Sequence, residues 1–185
     1  MKESREDRQS DFFDTCGNCK TQYSCCFGTR PPITQNRRKI IEEHVKKSGL
    51  LTAKLFVDEE YVFPSETDEG FCIFHDRTTR KCRIHSVKPE TCVAGPITFD
   101  INKKTGRIEW FIKMDKICAL AGVVYRGEGL LQAHLENAKR ELLRLVDELD
   151  SEELKAILKK DEPETFKIGE DRLDKNTSRK VLGDK

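Results

Sequence analysis

From Glu128 onward, Leu131, Leu135, Ala138, Leu142, Leu145 and Leu149 recur every three or four residues in a segment otherwise rich in Glu, Lys and Arg. That spacing puts every apolar side chain on one stripe of an α-helix. Asp150 or Ser151 can start a second, shorter helix through Leu154, Ile157 and Leu158, packed back on the first. Upstream, Thr34 can cap a helix whose positions Ile40, Ile41, His44 and Val45 share a face, ending near Ser48 and Gly49. Elsewhere the period drops to two. Ile97, Phe99 and Ile101 alternate with polar residues, as do Ile108, Trp110 and Ile112, and NKKTG between them can make a tight connection. This predicts a hairpin whose apolar face is filled by Phe99 and Trp110. The expected class is α+β: a small domain with short antiparallel strands, about three helices and a C-terminal helical segment.

The chain ends carry no such period. Residues 1–12 alternate acidic and basic side chains, and 161–185 do much the same apart from Phe166, Ile168, Leu173, Val181 and Leu182. The expected organisation is a charged extension over 1–12, a cysteine-cluster metal-binding domain over 13–129, helices packed on it over 130–160, and a charged, flexible tail over 161–185. Composition fits a modest interior, with 36% apolar and 36% charged residues and a mean hydropathy of −0.66. A core of that size gains from a staple. Lys plus Arg (34) balance Asp plus Glu (33), so no net field argues for a nucleic-acid partner. The N-terminus lacks the apolar stretch of a leader, and no window approaches the roughly 18 apolar residues of a membrane helix. A soluble, cytoplasmic protein is expected, with no membrane partner.

That expectation bears on the eight cysteines, Cys16, Cys19, Cys25, Cys26, Cys72, Cys82, Cys92 and Cys118. Clustered thiols in a reducing compartment hold metal more often than they form disulfides. Buried free thiols, or disulfides in an exported chain, would not account for the paired and ten-residue spacings. In CGNC (16–19), Gly17 and Asn18 can turn the backbone so that two sulfurs converge on one ion. Cys25 and Cys26 are adjacent, so their side chains diverge and one can bind while the other serves a second ion or the core. His75 and His85 each follow a cysteine by three residues, which raises a local two-Cys two-His zinc finger as an alternative. CIFH and CRIH, however, contain no glycine and look strand-like. In a hairpin across DRTTRK, period two would turn both histidines away from the sulfurs of Cys72 and Cys82. Lys88 and Pro89 would initiate the turn that brings Cys92 back.

The cysteine set ending in the Cys25–Cys26 pair, then PPIT, GFCIF, CRIH, VKPETC and Pro96, resembles the YkgJ-type CxxCxxCC cysteine-cluster family of zinc- or iron-chelating domains, from about Cys16 to Gly129. Cys118 with Gly122, Gly127 and Gly129 resembles the family's later cysteine followed by glycines. The chain departs from the family in having five residues between Cys19 and Cys25, Lys88 where arginine is usual, and Ala119-Leu120 after Cys118 where the family has Pro-Gly. The resemblance implies metal as cofactor and partner: zinc, or iron, including a 4Fe-4S cluster. Thiolates suit both. Eight sulfurs would serve two four-thiolate zinc sites, or one cluster with thiols to spare. The resemblance extends to a cysteine domain in flagellin lysine N-methylases, which makes an iron–sulfur redox or methyl-transfer enzyme the alternative.

The remaining chemistry-bearing residues have plainer accounts. His44, on the first helix stripe, is expected in the core, and His134, one residue off the later stripe, on the surface. Arg77, Arg80, Lys81 and Arg83 form a basic turn, expected to be solvated rather than to grip phosphate. There is no glycine-rich phosphate loop, GxSxG or HExxH, nor the CxxxCxxC of a radical enzyme, so any chemistry would be the metal's own.

Overall fold

The computed structural model describes residues 15–16, 19, 25–50, 54–160, 162 and 164–182. The expected charged extension over 1–12 lies outside the described residues. The first helix, α1 (Gln35–Ser48), starts where predicted. The Thr34 hydroxyl accepts the Arg37 amide at 3.0 Å, and Gly49, at φ 67°, ends the helix by returning its N–H to the Val45 carbonyl. Its inward face is narrower than the expected stripe. Ile41 and Val45 are buried, while Ile40 is 47% exposed and His44 only half-buried, so His44 is not a core residue. Ile41 and Val45 pack with Ile33, Phe56, Val62, Phe74 and Ile84. Phe56 and Val62 come from a two-stranded antiparallel ribbon, β1 (Phe56–Asp58) and β2 (Val62–Pro64).

A second, larger core gathers the rest of the chain. After α2 (Glu90–Ala94) and the cis Gly95–Pro96 bond come β3 (Ile97–Asn102) and β4 (Arg107–Lys113). Their register, Ile97 opposite Ile112, Phe99 opposite Trp110 and Ile101 opposite Ile108, is the one the alternation predicts. Then follow α3 (Ala119–Arg126), α4 (Leu130–Glu148) and α5 (Ser151–Ile157). Leu135, Ala138, Leu142 and Leu145 of α4 are buried as their spacing requires, and the helix packs on α2, α3 and β3. Asp150 opens α5 with a full capping box, its side chain accepting from Glu152 and Glu153 amides while Glu153 answers to the Asp150 amide.

The expected tail over 161–185 is not a tail where it is described. Residues 165–182 form β5 (Thr165–Arg172), paired antiparallel to β4, and α6 (Lys175–Leu182). The sheet order is β3-β4-β5. The charges that made the segment look solvated line the solvent side of an edge strand, where Lys167 bonds to Glu109 and Glu170, and Arg107 to Glu170. Its few apolar residues are its anchors: Val181 is buried, and Ile168, Leu173 and Leu182 pack against the core. With the short α2, α3 and α6 added, the described residues contain six α-helices in an α+β fold rather than about three.

The two cores meet through polar and apolar ties. The Thr34 hydroxyl donates to Glu90 Oε1 at 2.7 Å, Arg37 lies 3.6 Å from the same oxygen and also pairs with Glu141, and Asn36 donates to Glu148 at 3.0 Å. Glu90 is completely buried. Burial raises its carboxyl above the ordinary range, against the opposing pull of Thr34 and Arg37. Tyr61 and Phe63 add a small cluster with Ala156 of α5.

Candidate metal centre

The segment from Phe71 to Val87 does pair across DRTTRK, with an antiparallel bridge between His75 and Cys82 and the Asp76 and Arg83 amides donating to the Lys81 and Phe74 carbonyls at 2.9 Å, but turns at Cys72–His75 and Cys82–His85 stand where strands were expected. The His75 amide closes a turn onto the Cys72 carbonyl at 2.8 Å. Within it the Phe74 amide donates to the Cys72 sulfur, and two residues past Cys82 the Ile84 amide does the same for the Cys82 sulfur. Both turns form without glycine. The reason is burial: Phe74 and Ile84, at 1% and 0% exposure, plug the core beside α1, and this anchoring leaves each amide facing its sulfur. These turns, rather than a period-two strand, set the directions of Cys72, His75, Cys82 and His85. Amide donors aimed at sulfur favour the thiolate, the form that binds metal.

The histidines have other surroundings. His75 stacks on Phe71 with ring centroids 5.0 Å apart and planes 11° apart, and its buried Nδ1 has no hydrogen-bond partner among the described residues. The charges acting on it are Arg80, Asp76 and Arg83. His85 opens a 3-10 turn (His85–Val87), and burial, helped by Lys88, pushes it down to about 4. His134 is buried, contrary to the surface position expected of it. Its Nε2–H donates to the Ala94 and Gly95 carbonyls at 3.0 and 3.1 Å, holding the turn after α2.

The early cysteines are carried to the later ones by backbone pairing. The Cys72 amide donates to the Cys26 carbonyl at 2.7 Å, the Gly28 amide to Gly70 at 2.9 Å, and Phe27 bridges Phe71. In the CGNC segment the Cys19 amide reaches the Cys16 carbonyl at 3.2 Å; Gly17 and Asn18 lie outside the described residues. The Arg80 guanidinium donates to the Cys19 carbonyl, so the basic turn is tied to this loop. Arg77 pairs with Glu69 and Arg83 with Asp76.

The electrostatics show which sulfurs are neighbours. Cys26 is acted on by Cys72 and Cys82, Cys72 by Cys82, and Cys92 by Cys26, Cys72 and Cys82. These four therefore interact in every pairing. A second set adjoins and overlaps them: Cys16 feels Cys25, Cys19 and also Cys82, Cys26 feels Cys25 and Cys16 as well, and Cys25 is hydrogen-bonded to Cys118 at the start of α3. Burial, seconded by neighbouring thiols, pushes Cys26 up to about 12, and burial pushes Cys72 up to about 11. Burial also raises Cys16, Cys82 and Cys92. Cys25 goes the other way, down to about 6, because the Cys118 thiol donates to it, while Cys118 is raised as that donor.

All eight cysteines are free thiols. Among the described residues no three His, Cys, Asp or Glu side chains already surround one point as a closed ligand shell; the sulfurs share a neighbourhood and would have to close in. The donor chemistry fits zinc or iron: soft sulfur, amide-supported at Cys72, Cys82 and Cys118, from four separate parts of the chain. An apolar cleft of about 380 Å³ lies between the end of β4, α3 and Phe166 of β5, but its cations Lys113, Lys116 and Arg126 are paired with Glu162, Glu164 and Asp115. No helix among the described residues is long and apolar enough to cross a membrane.

No curated protein and no solved structure matches the chain. The CxxCxxCC family model, described as "Putative zinc- or iron-chelating domain", matches residues 15–119. That span is more than half of the chain and holds all eight cysteines, the turns that aim amides at sulfur, and α2 with Cys92. The chain belongs to the CxxCxxCC family of zinc- or iron-chelating domains.

Proposed function

We propose that the protein chelates zinc or iron through its cysteine sulfurs, with Cys26, Cys72, Cys82 and Cys92 as one four-thiolate site. Cys16, Cys19, Cys25 and Cys118 would serve as a second site beside it. The observation that supports this reading is that the first four sulfurs all interact although Cys26 is 46 residues before Cys72 in the chain. Burial keeps these thiols protonated in the absence of metal, so an ion entering the site displaces protons and draws the sulfurs together. The same contraction would tie the α1 core to α2 and so to the sheet. This makes the metal at least partly structural, with an apparent contribution on the order of 10 kcal/mol for zinc. A cytoplasmic location follows from the need for free thiols.

The test is metal analysis of protein made without metal-affinity columns, in wild type and in Cys72→Ser and Cys16→Ser. Each variant is expected to lose one bound ion and to keep the other. A colourless protein with zinc, or a brown one with iron and acid-labile sulfide, identifies the metal. A wild type that retains neither, after anaerobic purification, overturns the reading.

A further inference from the structure

β5 is the outermost strand of its sheet: it pairs with β4 on one side, and among the described residues no strand pairs with the other. An open edge of eight residues is a row of unused backbone donors and acceptors, which proteins guard with charge or with a bulge. β5 has both, in an arrangement that matches itself. Trp110 stands opposite Gly169 and Phe111 opposite Lys167, so Ile168 is an extra residue and the strand changes faces there. Ile108, Trp110 and Ile112 of β4 are buried, so their partners Asp171, Gly169 and Phe166 lie on the core face. Thr165, Lys167, Glu170 and Arg172, opposite the remaining residues of β4, lie together on the solvent face.

Read backwards, the strand therefore meets its own complement. A two-fold axis through the gap between Ile168 and Gly169, perpendicular to the sheet, sets Lys167 opposite Glu170 of a second copy, twice over, and Thr165 opposite Arg172, all on the solvent side. In a strand without the bulge, residues three apart face opposite sides, and the same register would turn the two helix layers to opposite sides of the joined sheet. A shifted register brings Lys167 away from Glu170 and loses both contacts. Lys167 and Glu170 already bond to each other and to Glu109 and Arg107 within the chain, so the pairing extends an existing row of alternating charge. At the head of the strand Phe166, 37% exposed, and Tyr125, 57% exposed, meet edge-on at 5.4 Å and leave apolar surface beside the same edge.

We propose that the protein self-associates through β5, as a two-fold dimer whose two three-stranded sheets join into one of six strands. The interface is independent of the thiols and of the metal.

The experiment is sedimentation velocity of the full-length protein across the micromolar range, with reductant and chelator present so that neither disulfides nor shared metal can link copies. Wild type is expected to show a concentration-dependent dimer. Lys167→Glu and Glu170→Lys each place like charges opposite one another in the self-pair, and each alone is expected to associate at least about tenfold more weakly. An equimolar mixture of the two restores opposite charges at both contacts and is expected to recover the dimer. The double variant Lys167→Glu/Glu170→Lys keeps the strand self-complementary and is expected to dimerise like wild type, which keeps the result readable if a single variant fails to fold, as its melting reports. In wild type, hydrogen exchange of the β5 amides is expected to slow as concentration rises. A wild type that stays monomeric throughout overturns the proposal, as do a dimer indifferent to both single variants, a mixture that recovers nothing, or a dimer whose β5 amides gain no protection.

Discussion

Metal uptake should climb steeply with pH, and the number of protons released identifies the ligands. Without metal, Cys26 titrates near 12 and Cys72 near 11, and Cys82 and Cys92 lie above the ordinary thiol value, so all four are protonated at pH 7. A zinc complex holds them as thiolates. Each ion entering this set should therefore expel about four protons, and its apparent affinity should rise about 10⁴-fold per pH unit, about 5.4 kcal/mol. The sign is fixed: raised thiol values favour the protonated, metal-free form, so acid releases metal. In the second set Cys25, lowered to about 6, is already largely thiolate at pH 7 and should contribute little to proton release. A finger of Cys72, His75, Cys82 and His85 would release only about two, since both imidazoles titrate below the ordinary histidine value and are neutral at pH 7. The assay is zinc titration of metal-free protein in weak buffer with a pH indicator, alongside chelator competition from pH 6.5 to 7.5. Cys16→Ser serves to isolate the first set. Release of two protons or fewer by that set refutes the four-thiolate assignment.

Ile84→Ala and Leu142→Ala should separate the two cores. Both residues are fully buried and each substitution should cost about 2–5 kcal/mol in chemical denaturation, but only Ile84→Ala should also weaken metal binding, since Ile84 anchors the amide on Cys82. Asp171 accepts from Trp110 Nε1 at 2.7 Å and pairs with Lys139 at 2.9 Å, so Asp171→Ala should destabilise by about 1–3 kcal/mol, read from tryptophan fluorescence. Lys139 and Trp110 hold this carboxyl below its ordinary range. Its stabilisation is thus present at neutral pH and fades as pH falls below about 4, and in the alanine variant that part of the acid dependence should vanish. Ending the chain at residue 160 removes β5 and α6 and opens the β4 edge, so the shortened protein should aggregate or unfold at lower denaturant; an unchanged midpoint contradicts the packing described here.

Periodicity determined the elements whose burial is one-sided and local. The leucine stripe of α4, the alternation in β3 and β4, and the caps at Thr34 and Asp150 are written in adjacent turns of sequence, and the structure reproduces them. The cysteine motifs likewise sufficed to point to the zinc- or iron-chelating family. Tertiary structure decided the rest, because it depends on partners far away in the chain. β5 carries a charged face that reads as tail until β4 offers its edge, and His134 is buried only because the turn after α2 presents two carbonyls to it. Period two misread CIFH and CRIH: Phe74 and Ile84 are held by the α1 core rather than by a neighbouring strand, so the backbone turns and the amides face sulfur. Which sulfurs are neighbours is likewise a matter of three-dimensional proximity. Electrostatic interaction follows distance through space, which spacing along the chain does not encode.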